Sequence, residues 1–185
     1  MKSKSYLYSL IFSIFLVSCG DDVLPKPKAM LRLEYPESPA DRLVSEKFTF
    51  QHNSQAQVEK GKNHSVTLDY PLMKGSIFIT YKEVNSNLEE LLTDAQKLSY
   101  EHVVKADNIT EQPFINRKDR VYGMFYEVSG DAASQAQFYV TDSTRHFVTG
   151  SLYFRAKPNY DSIYPAAIYL QKDIRTIMES IRWNE

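Results

Sequence analysis

The chain has 185 residues, 22 of them basic and 23 acidic, a balance that gives no reason to expect nucleic acid or another polyanion as partner. Hydrophobic residues make up 43% and aromatics 13%, which supplies one sizeable core and excludes a largely disordered chain. A single cysteine, Cys19, leaves neither an intrachain disulfide nor a cysteine-based zinc site available.

Lys2 and Lys4 precede a short apolar run over residues 6–17 that ends in small residues, the build of a secretory signal and too short for a membrane span. The run closes as Leu16-Val17-Ser18-Cys19-Gly20, which resembles a bacterial lipobox. That resemblance implies diacylation of the Cys19 thiol, palmitate being the expected acyl group, and cleavage of residues 1–18. An ordinary secretory signal or a buried strand with a chance cysteine is the alternative. More than one acyl chain suffices for stable anchoring. Residues 19–28 then form a tether, in which Pro25 and Pro27 favour an extended backbone of about 3.1 Å per residue. Asp21 and Asp22 beside the anchor serve either as a sorting signal or simply to solvate the tether.

Residues 29–185 are expected to form one domain. A first strand is predicted over residues 31–35, where apolar and charged residues alternate before Pro36, followed by a polar loop to residue 45. Phe48 and Phe50 mark a second strand, and residues 66–70 a third that stops at Pro71. Residues 76–84 carry apolar groups on both faces, which predicts a strand deep in the sheet. The period then changes: Leu88, Leu91, Leu92, Ala95 and Leu98 recur at helical spacing, with His102 on the same stripe. Ser86 followed by Glu89 fits a capping box, so a helix is predicted over about 87–104.

Two strands, 109–116 and 121–128, flank a charged turn at residues 117–120. Residues 137–154 then place two aromatic-rich, β-prone runs around Asp142-Ser143-Thr144, a cluster of turn formers, and so predict a β-hairpin. From Ile163 the helical period returns through Ala167, Leu170, Ile174, Ile177 and Ile181, predicting a helix over about 162–182. Asp161 or Ser162 is expected to cap it, with Pro165 in the first turn. Trp183 is expected to pack on the sheet. Strands joined by short turns, without strict βαβ alternation, predict an α+β fold: a mainly antiparallel sheet packed by two helices, Mog1/PsbP-like by fold-level analogy.

The strings VYGMFYEVSGDAASQAQFYVTDSTRHFVTGSLYF (121–154) and KPNYDSIYP (157–165) are similar to the gliding motility lipoprotein GldD family of Bacteroidetes. Pro25-Lys26-Pro27-Lys28, residues 31–36, Thr80-Tyr81-Lys82, Leu98-Ser99-Tyr100-Glu101-His102, the lipobox and Arg182-Trp183 fit the same pattern. The family pattern also carries a cysteine pair in the segment corresponding to residues 46–65. This chain has none there, so the stretch over residues 51–63 is expected to be a looser loop. What the resemblance implies is a lipid-anchored, periplasm-facing envelope protein, placed at the outer membrane and linked to gliding and type IX secretion machinery. It carries over no catalytic residue and no cofactor.

The residues themselves pose an alternative. Asp142, Ser143 and His146 lie within one turn and are the types a serine hydrolase uses, but no Gly-x-Ser-x-Gly turn or oxyanion element accompanies them. Asp142 and Ser143 serve a turn's own backbone amides equally well. The histidines (His52, His64, His102, His146) show no paired ligand spacing, and the glycines form no phosphate loop, so neither metal nor nucleotide is expected. The expected interaction surface is the hairpin edge with its rings: Tyr139, Asp142, Ser143, His146, Tyr153 and, beyond it, Asp161. A binder of a small apolar ligand between sheet and helix is a third reading.

Overall fold

A computed structural model describes residues 35–101, 105–155 and 159–184. The lipobox, the tether, His102 and the strand expected over 31–35 lie outside the described residues, except Tyr35, which is not in a strand.

The first strand described, β1 (Ala40–Val44), occupies what the sequence marks as a polar loop. Leu43 alone among its residues is buried, so no alternation betrays it. β1 pairs antiparallel with β2 (Phe48–Asn53). Next, β3 (Gln57–Lys60), exposed along its whole length, falls in the stretch expected to be loose and corrects that expectation. It forms a hairpin with β4 (Val66–Tyr70), and β5 (Gly75–Glu83) follows after a short turn at Pro71–Met73.

Helix α1 (Leu88–Tyr100) begins one residue later than predicted, and its capping box does not form. Ser86 takes a left-handed φ of 59°, outside the extended backbone an N-cap serine needs. Asn87 holds the N-cap position instead, and its Oδ1 accepts the Asn85 amide at 2.8 Å. The four strands β6 (Ala106–Asn116), β7 (Val121–Gly130), β8 (Ser134–Thr141) and β9 (His146–Phe154) meander as two linked hairpins.

Helix α2 (Tyr160–Ser180) is capped by Asn159, whose Oδ1 accepts the Ser162 amide at 3.4 Å, so neither Asp161 nor Ser162 is the cap. Pro165 is its sixth residue, beyond the first turn where it was expected. The helix also stops short of residue 182, because Arg182 and Trp183 leave it as a short strand, β10, paired with β2.

Among the described residues every strand pairing is antiparallel. Seven strands run in the order β3-β4-β5-β9-β8-β7-β6, and β1-β2-β10 form a smaller sheet. The fold is thus α+β, as the sequence predicts. One face of the large sheet, through Ile77, Ile79, Phe138, Val148 and Leu152, packs on α2 residues Leu170, Ile174 and Ile177 and on Phe48 and Phe50 of the small sheet. The other face carries α1, with Leu91 and Ala95 over Tyr126, Tyr139 and Phe147. Covered on both sides, β8 is buried at every residue. β5 is interior in the sheet order, yet Phe78 is 44% exposed, because α1 packs over β7, β8 and the start of β9 and not over the middle of β5.

A buried polar link ties β4 to α2. Asp173 accepts hydrogen bonds from the Tyr70 hydroxyl and, at 3.1 Å, from the Asn53 amide. Burial pushes its carboxyl above the ordinary aspartate value despite those donors.

Candidate functional site

The β8–β9 hairpin forms where predicted, and its turn is built by Asp142. One carboxylate oxygen accepts the amides of Thr144, Arg145 and His146 at 2.9, 2.8 and 2.8 Å, and the other accepts the Thr144 hydroxyl at 2.7 Å. Burial by itself would raise the Asp142 pKa, but these donors hold it down to about 2. Thr141 completes the turn: its hydroxyl accepts the Ser143 amide at 2.9 Å and donates to the His146 carbonyl.

His146 opens β9 with only 6% of its surface exposed. Its Nδ1 lies 2.9 Å from the Tyr81 hydroxyl of β5, and its ring lies parallel to that of Trp183, centroids 5.1 Å apart. Nε2 is buried and has no partner among the described residues. Burial holds the imidazole below the ordinary histidine value; Arg145 and Lys47 push the same way, while Asp142 and Glu83 oppose them.

Asp142, Ser143 and His146 are therefore neighbours without being coupled. A triad needs the aspartate on the imidazole and the imidazole on the serine. Here the Asp142 oxygens are occupied by the turn, Nδ1 of His146 belongs to Tyr81, and no hydrogen bond among the described residues joins Ser143 Oγ to His146. Ser143 stands exposed on a left-handed backbone, φ 66°.

The expected surface residues divide by burial. Tyr139 is 9% exposed and stacks on Phe147 beneath α1, and Asp142 and His146 are also buried. Tyr153 is half-buried with its ring edge on Phe78, while Ser143 and Asp161 are exposed. Asp161 lies in the first turn of α2, which begins near the opposite end of the hairpin, beside the β7–β8 turn. Sequence reasoning missed Tyr81, Arg120 and Arg145. Arg120 ends the charged β6–β7 turn and donates to the Thr144 hydroxyl at 3.3 Å, and its carbonyl accepts the Trp183 indole at 3.0 Å. The charge run over residues 117–120 was the available signal.

Of the other histidines, His52 bonds the Asn53 carbonyl at 2.9 Å and His64 sets its ring edge on Tyr81. Among the described residues no three His, Cys, Asp or Glu side chains converge, and no helix is long and apolar enough to cross a membrane. The space between the large sheet and α2 is filled by Leu170, Ile174 and Ile177, each wholly buried.

No curated protein matches the chain. A family model described as gliding motility lipoprotein GldD matches residues 20–183, from the position after Cys19 to Trp183. The match takes in both hairpins, the two helices and the closing strand, and the chain belongs to the gliding motility lipoprotein GldD family, whose members the name places in gliding and on a lipid anchor at the cell envelope.

Proposed function

We propose that the protein is a non-catalytic docking module of the gliding and type IX secretion machinery, held by lipid on Cys19 in the outer membrane and facing the periplasm. The observation that carries this reading is the separation of two ends of the sheet. The described chain starts at Tyr35, whose ring lies beside the β4–β5 turn at Pro71–Met73 and 5.4 Å from that of Tyr169. Strand β5 runs from that turn to Glu83, which pairs with His146 at the hairpin tip. The eight steps between the nine residues of β5, at about 3.3 Å each, put the tip on the order of 26 Å from the end where Tyr35 lies. The tip, where the β6–β7 and β8–β9 turns meet β10, is thus the end of the sheet remote from Tyr35, and it is the surface this reading assigns to docking. Catalysis has no support in the uncoupled Asp142, Ser143 and His146.

The test is complementation of a deletion strain. Native protein restores gliding and export of type IX cargo; Cys19→Ala, which removes the lipid, restores neither and leaves the membrane fraction. Gliding and export that persist in the deletion strain would refute the reading. Full rescue by Cys19→Ala would refute the anchor.

A further inference from the structure

We propose that the cleft at the hairpin tip is a binding site for carboxylate side chains on an acidic segment of a partner protein; the inference deepens the docking reading and rests on it. The cleft encloses about 240 Å³ between the β6–β7 turn, the β8–β9 turn and β10. Arg120, Arg145 and Arg182 stand around it, with Trp183 and His146 as its wall.

Two aspartates share the lining, and both are already engaged. Asp142 accepts four hydrogen bonds from its own turn. Asp119 sits 3.0 Å from Arg182 Nε and accepts the Asn116 amide group at 2.8 Å. Arg120 and Arg145 are exposed and have no carboxylate partner among the described residues. Arg117 and Lys118, exposed in the same turn as Arg120, add to the positive field. The chain as a whole carries a formal charge of −1, so this concentration of arginine is local to one end.

A second observation is independent of charge counting. His146 is more than nine-tenths buried, and its Nε2 lacks a partner although buried polar atoms are almost always satisfied. His146 lines the cleft, so this unpartnered ring nitrogen falls beside the three arginines. Planar guanidinium forks match carboxylates in two-point geometry, and the indole face of Trp183 offers apolar surface to the methylene stem of a glutamate.

Trp183 is the chain's one tryptophan, so its fluorescence reports the cleft directly. The full lipidated chain in neutral detergent is titrated with a hexaglutamate peptide. The expected result is a saturable change in emission that hexalysine does not produce and that weakens at least tenfold in the Arg120→Ala/Arg145→Ala double variant, whose far-UV circular dichroism stays native. No saturable change, equal affinity in the double variant, or an equal response to inorganic phosphate or to phosphatidylglycerol vesicles would overturn the inference. Gliding by the double variant separates the two readings. Gliding lost in the double variant, when the native chain itself binds no peptide, keeps docking and rejects carboxylate recognition. Arginine-dependent peptide binding with normal gliding keeps the site and counts against the docking role.

Discussion

Trp183 lies flat on His146, with 11° between the ring planes, and so clamps the last strand of the chain onto the hairpin tip. The contact shields the imidazole from water and is reinforced by the indole hydrogen bond to the Arg120 carbonyl. Trp183→Ala is expected to cost about 2 kcal/mol, less than a fully buried tryptophan would, because the side chain is half-buried. Chemical denaturation followed by circular dichroism measures this without the lost fluorophore. The same substitution lets water reach His146, and its pKa rises toward the ordinary value, readable by NMR titration. In the native protein the depressed imidazole binds protons less readily than in the unfolded chain. Its contribution to stability is therefore complete above about pH 6.5 and is lost as pH falls below that value.

Asp142 acts at lower pH. Asp142→Ala removes the acceptor of three amides and a hydroxyl and should destabilise the protein by about 2 kcal/mol at pH 7. Because the folded pKa is depressed to about 2, the carboxylate's stabilisation is present above pH 3.8 and is lost as pH falls from there toward 2. Stability measured across that range should therefore show the gap between native and variant closing.

The Tyr70–Asp173 link carries the opposite sign. Asp173 takes up its proton more readily in the folded state, so ionising it costs stability as pH rises from the ordinary aspartate value through its raised folded pKa. Tyr70→Phe takes a donor from the buried carboxylate and should cost about 2 kcal/mol at neutral pH. At pH 3, with Asp173 protonated, the cost should be smaller. Paired urea titrations at the two pH values check it.

Two glycines in the hairpins leave no room for a side chain. A Cβ at Gly123 would fall on the Tyr139 carbonyl of the paired strand, whereas one at Gly150 would meet the Phe138 ring. A ring can turn and a paired backbone cannot. Gly123→Ala is therefore expected to cost more than Gly150→Ala, which should fall near the about 1–3 kcal/mol of ordinary overpacking. Parallel denaturation curves rank them.

Where a segment buries one consistent face, the sequence shows it. The alternation of Ile77, Ile79 and Tyr81, the helical stripe through Leu170, Ile174 and Ile177, and the turn formers between β8 and β9 all appear in the structure as predicted. Strands β1 and β3 do not announce themselves, because edge strands with almost no buried residue carry no hydrophobic period. The caps were misjudged for a related reason: Asn87, Asn159 and their polar neighbours are equally good cap formers, and local backbone conformation chooses among them. Tyr139 and His146 read as surface because their own strands do not reveal what covers them. Their covers are Leu91 and Ala95 of α1 in one case and Trp183, distant in sequence, in the other.

Docking and catalysis at the tip are separated most directly by gliding speed in a deletion strain carrying one of two variants. Ser143→Gly removes the one hydroxyl a hydrolase at this turn would use, and glycine suits the left-handed backbone there. Arg120→Glu/Arg145→Glu reverses the charge of the exposed rim and leaves the turn's hydrogen bonds to Asp142 in place. With both proteins present at native levels in the membrane fraction, docking predicts native gliding for Ser143→Gly and arrest for the charge reversal. Arrest in Ser143→Gly together with normal gliding in the charge-reversed strain would contradict it.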